Sequence, residues 1–210
     1  LKVLKRRNMI PTLFFTFSRR GVEMLANKVT IQVSEDQGIN IKEHCKKKMM
    51  TLPNWREYVE TVEYTRLVRL IEKGIGIHHA GMVGVFKELV EVMYDEGHIK
   101  VLFATETFKV GINMPTKTVV FTGLHKFDNY GRRFLRTEEF LQMAGRAGRR
   151  GLDTFGEVII LPINIPTEKE FKKIILGKNI SLSSKLQLDY NWILRNIYMF
   201  NLINKDSTDV

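Results

Sequence analysis

Val85-Phe86-Lys87-Glu88-Leu89-Val90-Glu91-Val92-Met93-Tyr94-Asp95 is followed, after Glu96-Gly97-His98, by Ile99-Lys100-Val101-Leu102-Phe103-Ala104 and then by Thr105-Glu106. Phe86, Leu89, Val90 and Met93 recur at helical spacing, and Gly97 is a helix stop. The short apolar run beyond it suits a strand covered on both faces, and the chain turns polar where that strand ends. The same unit recurs on either side. Upstream lie a strand at Thr12-Leu13-Phe14-Phe15-Thr16-Phe17, a helix from Gly21 to Val33, a helix from Tyr58 to Lys73 with inner positions Val59, Val62, Leu67, Leu70 and Ile71, and a strand running into a turn at 74–81. Downstream lie strands at Thr118 to Phe121 and at 156–162, with a polar, basic loop from Lys126 to Arg136 between them. Strands alternating with helices at this spacing imply an α/β fold with a parallel sheet flanked by helices.

Between those last strands, Glu139-Phe140-Leu141-Gln142-Met143-Ala144-Gly145-Arg146-Ala147-Gly148-Arg149-Arg150-Gly151-Leu152-Asp153 reads as a helix stopped by Gly151. Two glycines inside a helix each cost about 1 kcal/mol relative to alanine, so stability alone does not account for Gly145 and Gly148. On a helix, Gln142, Arg146 and Arg149 fall on one face opposite a strip of small residues. The ordinary reading is a solvated basic face. Two guanidinium forks on a rigid element with a bare backbone beside them suit the charge that develops on a transferring phosphoryl group.

The remaining polar clusters also follow strands. Ser18-Arg19-Arg20, His78-His79 and Thr105-Glu106 are expected, with the arginine helix, at the carboxyl edge of the sheet, where such folds bind ligands. Thr105 offers a hydroxyl and an amide to a phosphate, or simply caps a helix. Asn113, beside Gly111 and Pro115, can accept from a ribose hydroxyl or close a turn on its own backbone. His78 and His79, being adjacent on a strand, point to opposite faces, so no metal site is expected there. Asp95-Glu96-Gly97-His98 spells a DExH box, but it ends a helix and no G-x-x-x-x-G-K-[ST] loop precedes it, so the chain has no means of its own to hold a triphosphate and its metal.

A net charge of +10 favours polyanionic partners. The single cysteine, Cys45, excludes an internal disulfide and gives an intracellular, reducing home as the default. No apolar run is long enough to cross a bilayer, so no membrane partner is expected. The 34–55 stretch, containing Lys46-Lys47-Lys48, reads as a loosely structured or helical connector, and its lysines as a solvated face.

Phe15-Thr16-Phe17-Ser18-Arg19-Arg20 resembles motif IV of superfamily two helicases, 104–115 resembles motif V, and Gln142 to Asp153 resembles motif VI. His78-His79-Ala80-Gly81 is similar to a signature of the superkiller-type branch, the exosome-associated DExH RNA helicases. The resemblance implies a second RecA-like domain over 1–162, a linker over 163–183, and the beginning of a winged-helix domain over 184–210. It implies that Arg146 and Arg149 are arginine fingers, that Gln142 orders the ATP site, and that Gly111, Asn113 and Gly145 face the nucleotide. By the same resemblance Ser18, Arg19, His79, Thr105 and Glu106 hold the translocated strand.

The expected activity is 3′-to-5′ translocation on RNA driven by ATP with Mg2+. The expected partners are single-stranded RNA or a duplex with a 3′ overhang, the first RecA-like domain, and an exosome-associated complex. Lacking a phosphate loop and a true DExH box, the chain is expected to be a fragment or one half of a split protein. A DNA helicase half of the repair type and a stand-alone nucleic-acid-binding module without turnover are the competing readings.

Overall fold

The computed structural model describes residues 1–34, 40–106, 116–128, 131–149, 151–164, 166–177 and 190–206, the side chains of 191 and 201–206 excepted. In chain order the elements are α1 (Lys2–Arg6), β1 (Thr12–Phe15), α2 (Arg19–Asn27), α3 (Ile41–Met49), α4 (Trp55–Val59), α5 (Val62–Glu72), β2 (Ile75–His78), α6 (Gly84–Asp95), β3 (Val101–Ala104), β4 (Thr118–Phe121), β5 (His125–Asp128), β6 (Gly131–Phe134), α7 (Thr137–Ala144), β7 (Glu157–Ile160), α8 (Glu168–Leu176) and α9 (Tyr190–Asp206).

Five strands form one parallel sheet in the order β2-β3-β1-β4-β7. Every residue of β1, β2, β3 and β4 is buried, as continuous apolar runs require, whereas the edge strand β7 is only partly covered. The α/β, RecA-like class expected from the sequence is the one found. Phe121 is at the centre of the packing, stacked on Phe140 of α7 at 5.0 Å and tilted against Phe15 of β1 at 5.7 Å.

Two local expectations change, and a third resolves to one of its two readings. The helix expected from Tyr58 to Lys73 is broken, because the hydroxyl of Thr61 accepts the Tyr64 amide at 3.1 Å and starts a new helix. The restart rotates the inner face, and Val62 is left 83% exposed. The 34–55 connector contains a true helix, α3, whose stripe of Ile41, Cys45 and Met49 is buried. Burial there, reinforced by Glu72, pushes the Cys45 thiol up to about 12. Finally, the basic loop of 126–136 holds an antiparallel hairpin, β5 with β6.

The chain divides into two compact units, Leu1–Lys178 and Asn179–Val210. Helix α8 falls in the first, where it packs on α7 and the Thr137 hydroxyl donates to the Lys173 carbonyl at 3.0 Å. The second contains α9, along which Tyr190, Leu194, Tyr198 and Phe200 are exposed.

Candidate nucleotide and nucleic-acid sites

The candidate residues separate into two groups at opposite edges of the sheet. The chain leaves β4 at the carboxyl edge and passes through the hairpin. It then returns along α7, which starts near Phe121 and ends at Ala144. A crossover helix between parallel strands must carry the chain back to their amino edge, so whatever follows α7 arrives there. Arg146 and Arg149 therefore do not share the carboxyl edge with Ser18, His79 and Thr105, contrary to the sequence expectation.

Nor do they lie on a helix. Gly145 caps α7, Gly148 adopts φ +92°, and Gly151, read as the helix stop, is at φ +80° in the turn beyond. The turn is fixed to the amino end of β4 by an isolated parallel bridge between Thr116 and Ala147. The Thr116 amide donates to the Arg146 carbonyl at 3.2 Å, and the Gly148 amide to the Thr116 carbonyl at 2.7 Å. On its other side it lies against Gly156. A Cβ on Gly156 would come within 2.3 Å of the Ala147 backbone carbon and oxygen, closer than any side chain can be accommodated.

Asp153 holds Arg149 in a fork, with Nε to Oδ2 at 2.7 Å and Nη2 to Oδ1 at 2.8 Å, and also accepts the Arg149 amide at 3.0 Å. Those bonds raise the arginine's affinity for its proton and hold the Asp153 carboxyl down at about 2. The sequence gives Asp153 no role of its own, although a carboxylate four residues from a candidate arginine is a visible signal. Gln142 and Gly145 are exposed near the end of α7, next to this turn. Gly111 and Asn113 lie outside the described residues, in the segment that enters β4 at Thr116.

At the carboxyl edge, the Ser18 hydroxyl caps α2 by accepting the Gly21 amide at 3.0 Å, and Ser18, Arg19 and Arg20 are exposed. His78 and His79 turn to different helices, His78 Nε2 to Glu91 of α6 at 2.9 Å and His79 Nε2 to Glu23 of α2 at 3.1 Å. Burial holds the His78 imidazole below its ordinary range, against the pull of Glu91. His79 is itself buried, and its Nδ1 accepts the Gly81 amide at 3.1 Å. With both ring nitrogens engaged, His79 shapes the turn and does not offer itself to a strand. The turn in turn seats Arg19: a Cβ on Gly81 would lie 3.1 Å from Arg19 Cδ. Glu23 also pairs with Arg66.

Thr105 is buried and its amide donates to the His78 carbonyl at 3.1 Å, so that amide is not offered to a phosphate as the sequence suggested. Glu106 meets Lys126 Nζ at 3.4 Å, and Lys126 reaches Glu139 at 3.1 Å. Arg133 grips Glu139 with two bonds of 2.8 Å and Asp128 with one of 2.7 Å, which ties the hairpin to the start of α7. An open depression joins Ser18 and Thr122 to His125, Phe127 and Arg132, with Phe127 72% exposed. These hairpin residues were missed; the signal was an aromatic set among cations at 126–133.

Residues 29–151, more than half of the chain, match the family model for the helicase conserved C-terminal domain. The chain belongs to that family. Relatives of this helicase domain include the antiviral helicase SKI2 of Saccharomyces cerevisiae, 38% identical over 205 residues covering 91% of the chain and 15% of the relative. The human exosome RNA helicase MTR4 is 36% identical over 209 residues, 98% of the chain and 20% of the relative. The Schizosaccharomyces pombe ATP-dependent RNA helicase mtr4 is 37% identical over 203 residues, 92% and 17%. The helicase domain thus falls in the superkiller-type branch, and the chain spans a fifth or less of the length of these relatives. Among the described residues, no helix is long and apolar enough to cross a membrane.

The Glu139 junction is expected to make the helicase domain acid-sensitive. Burial works against the ionised carboxyl, but the Arg133 fork, the Arg136 amide and Lys126 together hold it at about 2, below its usual 4.5. A carboxyl depressed on folding stabilises fully above its unfolded value and loses that contribution as pH falls toward the folded one. The resistance of wild type to urea should therefore fall as pH is lowered from about 4.5 to about 2. The Glu139→Gln variant should be less stable at pH 7 and show a shallower decline. Equal slopes would mean that the junction contributes nothing.

Proposed function

We propose that this domain is the second RecA-like half of an ATP-dependent RNA helicase. In this reading it senses the nucleotide at the amino edge of its sheet and grips a nucleic-acid backbone at the carboxyl edge. The observation that carries it is the delivery of two arginines to one edge and of an exposed cationic and aromatic surface to the other, on one sheet and joined by α7.

The amino-edge turn fits the phosphates of ATP in donor chemistry. It presents permanent cations, and the Arg149 fork is oriented by Asp153 with three of its five N–H donors not committed to that carboxylate. Bound ATP supplies the phosphoryl group whose hydrolysis drives the cycle. Arg146 and Arg149 would offset the charge that develops on it, and Gln142, Gly111, Asn113 and Gly145 would border it. Mg2+ is not a ligand this turn is built for, since Asp153, the carboxylate that grips Arg149, is committed to that arginine. The metal and the triphosphate would rest mainly on a first RecA-like domain facing this edge, so the domain alone is inactive.

At the carboxyl edge, Ser18 and Arg19 would contact phosphates, with His79 and Gly81 positioning Arg19. His125, Phe127 and Arg132 extend the surface, an exposed ring beside a cation being suited to stacking on an unpaired base. Thr105 and Glu106 would act from behind this surface. The substrate is single-stranded RNA or a duplex with a 3′ overhang, moved 3′ to 5′. The wider protein would work inside the cell with an exosome-associated complex, and 184–210 would open a winged-helix domain. RNA is favoured over DNA because the relatives above carry names of RNA helicases.

The test is binding by the full-length helicase at several salt concentrations. Arg19→Ala should weaken RNA binding and lower the magnitude of the salt slope by about one, the signature of one lost phosphate contact. An unchanged slope would remove Arg19 from the interface. Preference for single-stranded DNA over RNA at fixed salt would favour the DNA helicase reading instead.

A further inference from the structure

The tetrad Asp95-Glu96-Gly97-His98 has no part in the nucleotide chemistry, yet the fold gives two of its residues a common partner. His44, on α3, lies against Glu96 and His98 at the end of α6. One ligand atom from each of the three lies within 4.8 Å of the others. His44 Nε2 is 2.7 Å from Glu96 Oε2, and His98 Nε2 is 3.8 Å from the same oxygen. The two imidazole rings meet edge to face at 5.2 Å, and His98 is buried. The left-handed turn at Gly97, φ +80°, is what brings Glu96 and His98 to one side.

We propose that His44, Glu96 and His98 form a binding site for a divalent transition metal of the zinc type, stapling α3 to the turn between α6 and β3. Two imidazoles and one carboxylate are a donor set that zinc accepts, with a water completing a tetrahedron. Metal–ligand distances of about 2.1 Å place neighbouring tetrahedral ligands roughly 3.4 Å apart. The His98 to Glu96 separation is already near that value. The His44 to Glu96 hydrogen bond needs to open by about 0.7 Å as the metal takes the place of its proton. The ligands come from segments 52 residues apart, so a bound ion would cross-link elements that otherwise meet through packing and the His44 and Lys48 contacts to Glu96.

Lys48 sets the limit on affinity. Its ammonium is 2.5 Å from Glu96 Oε1, the oxygen turned away from His44. It orients the carboxylate but repels an incoming dication. Removing the lysine charge should therefore tighten metal binding, the opposite of its effect on a simple ion-pair cluster.

The experiment is titration of the metal-stripped 210-residue chain with Zn2+, against a chromophoric zinc competitor and by thermal unfolding. Wild type should bind one equivalent, and free Zn2+ at about a hundred times Kd should favour the folded state about a hundredfold. His98→Asn and His44→Gln should each weaken binding at least about tenfold, and Lys48→Met should strengthen it. Should His98→Asn fail to fold, the partly exposed His44→Gln decides alone. The proposal is overturned if wild type takes up no stoichiometric Zn2+, or if His44→Gln and Lys48→Met both bind it as wild type does.

Discussion

Arg146→Ala in the full-length helicase is expected to reduce RNA-stimulated ATP turnover by about a thousandfold or more, the scale on which arginine fingers act in other phosphoryl-transfer systems. The fold should scarcely notice. The backbone of Arg146 is tied into the turn, its carbonyl accepting from Thr116 and its amide donating to Met143, and a side-chain truncation leaves those two bonds in place. Chemical denaturation should place the variant within about 1 kcal/mol of wild type. ATP hydrolysis by single turnover and urea unfolding together check the result. A large loss of stability with retained chemistry would make the arginine structural and sink the assignment. Asp153→Asn offers a graded companion, since it loosens the Arg149 fork without removing a cation.

Gly156→Ala should do what Arg146→Ala does not, and remove stability and activity together. The added methyl would stand 2.3 Å from Ala147 and 2.6 Å from the Gly148 amide, all of it backbone that cannot swing aside. The arginine turn must lift off the start of β7 or the strand must shift. Overpacking of this kind costs about 3 kcal/mol and occasionally more. Gly151→Ala is the control: it has open space around it and only the left-handed conformation to strain, worth about 1–2 kcal/mol. If Gly156→Ala unfolds at the same urea concentration as wild type, the close approach of turn and strand does not hold the arginines.

The central strands were legible because burial on both faces leaves no room for polar alternation, so 12–15, 101–104 and 118–121 announce themselves by composition. The hairpin was not. His125-Lys126-Phe127-Asp128 and Gly131-Arg132-Arg133-Phe134 carry little apolar pattern, and what fixes them is the Arg133 grip on Glu139 and Asp128, a contact that only the folded chain makes. The arginine motif was misread as geometry. Gly145 and Gly148 looked like a smooth strip along a helix, whereas they end the helix and turn the chain. The edge at which the arginines arrive depends on the direction of α7, which follows from topology and has no signature in the residues themselves. His79 is at the carboxyl edge where the sequence puts it, but its ring is turned to Glu23, 56 residues away, a contact without a signature in the local residues.

Helix α7 is eight residues long, about 12 Å from end to end. Glu139 fastens its first turn to the hairpin, and its last residue hands over to the arginines. In the proposed reading it would be a lever arm, with the surface offered to the nucleic acid at one end and the arginines offered to the phosphates at the other. Tilting such an arm by about 5° moves its far end by roughly 1 Å, and a misplacement of that size can alter a chemical step about a hundredfold. On the proposed function, the angular tolerance of the Arg133–Glu139 joint would set how faithfully a tug on the nucleic acid is reported to the nucleotide.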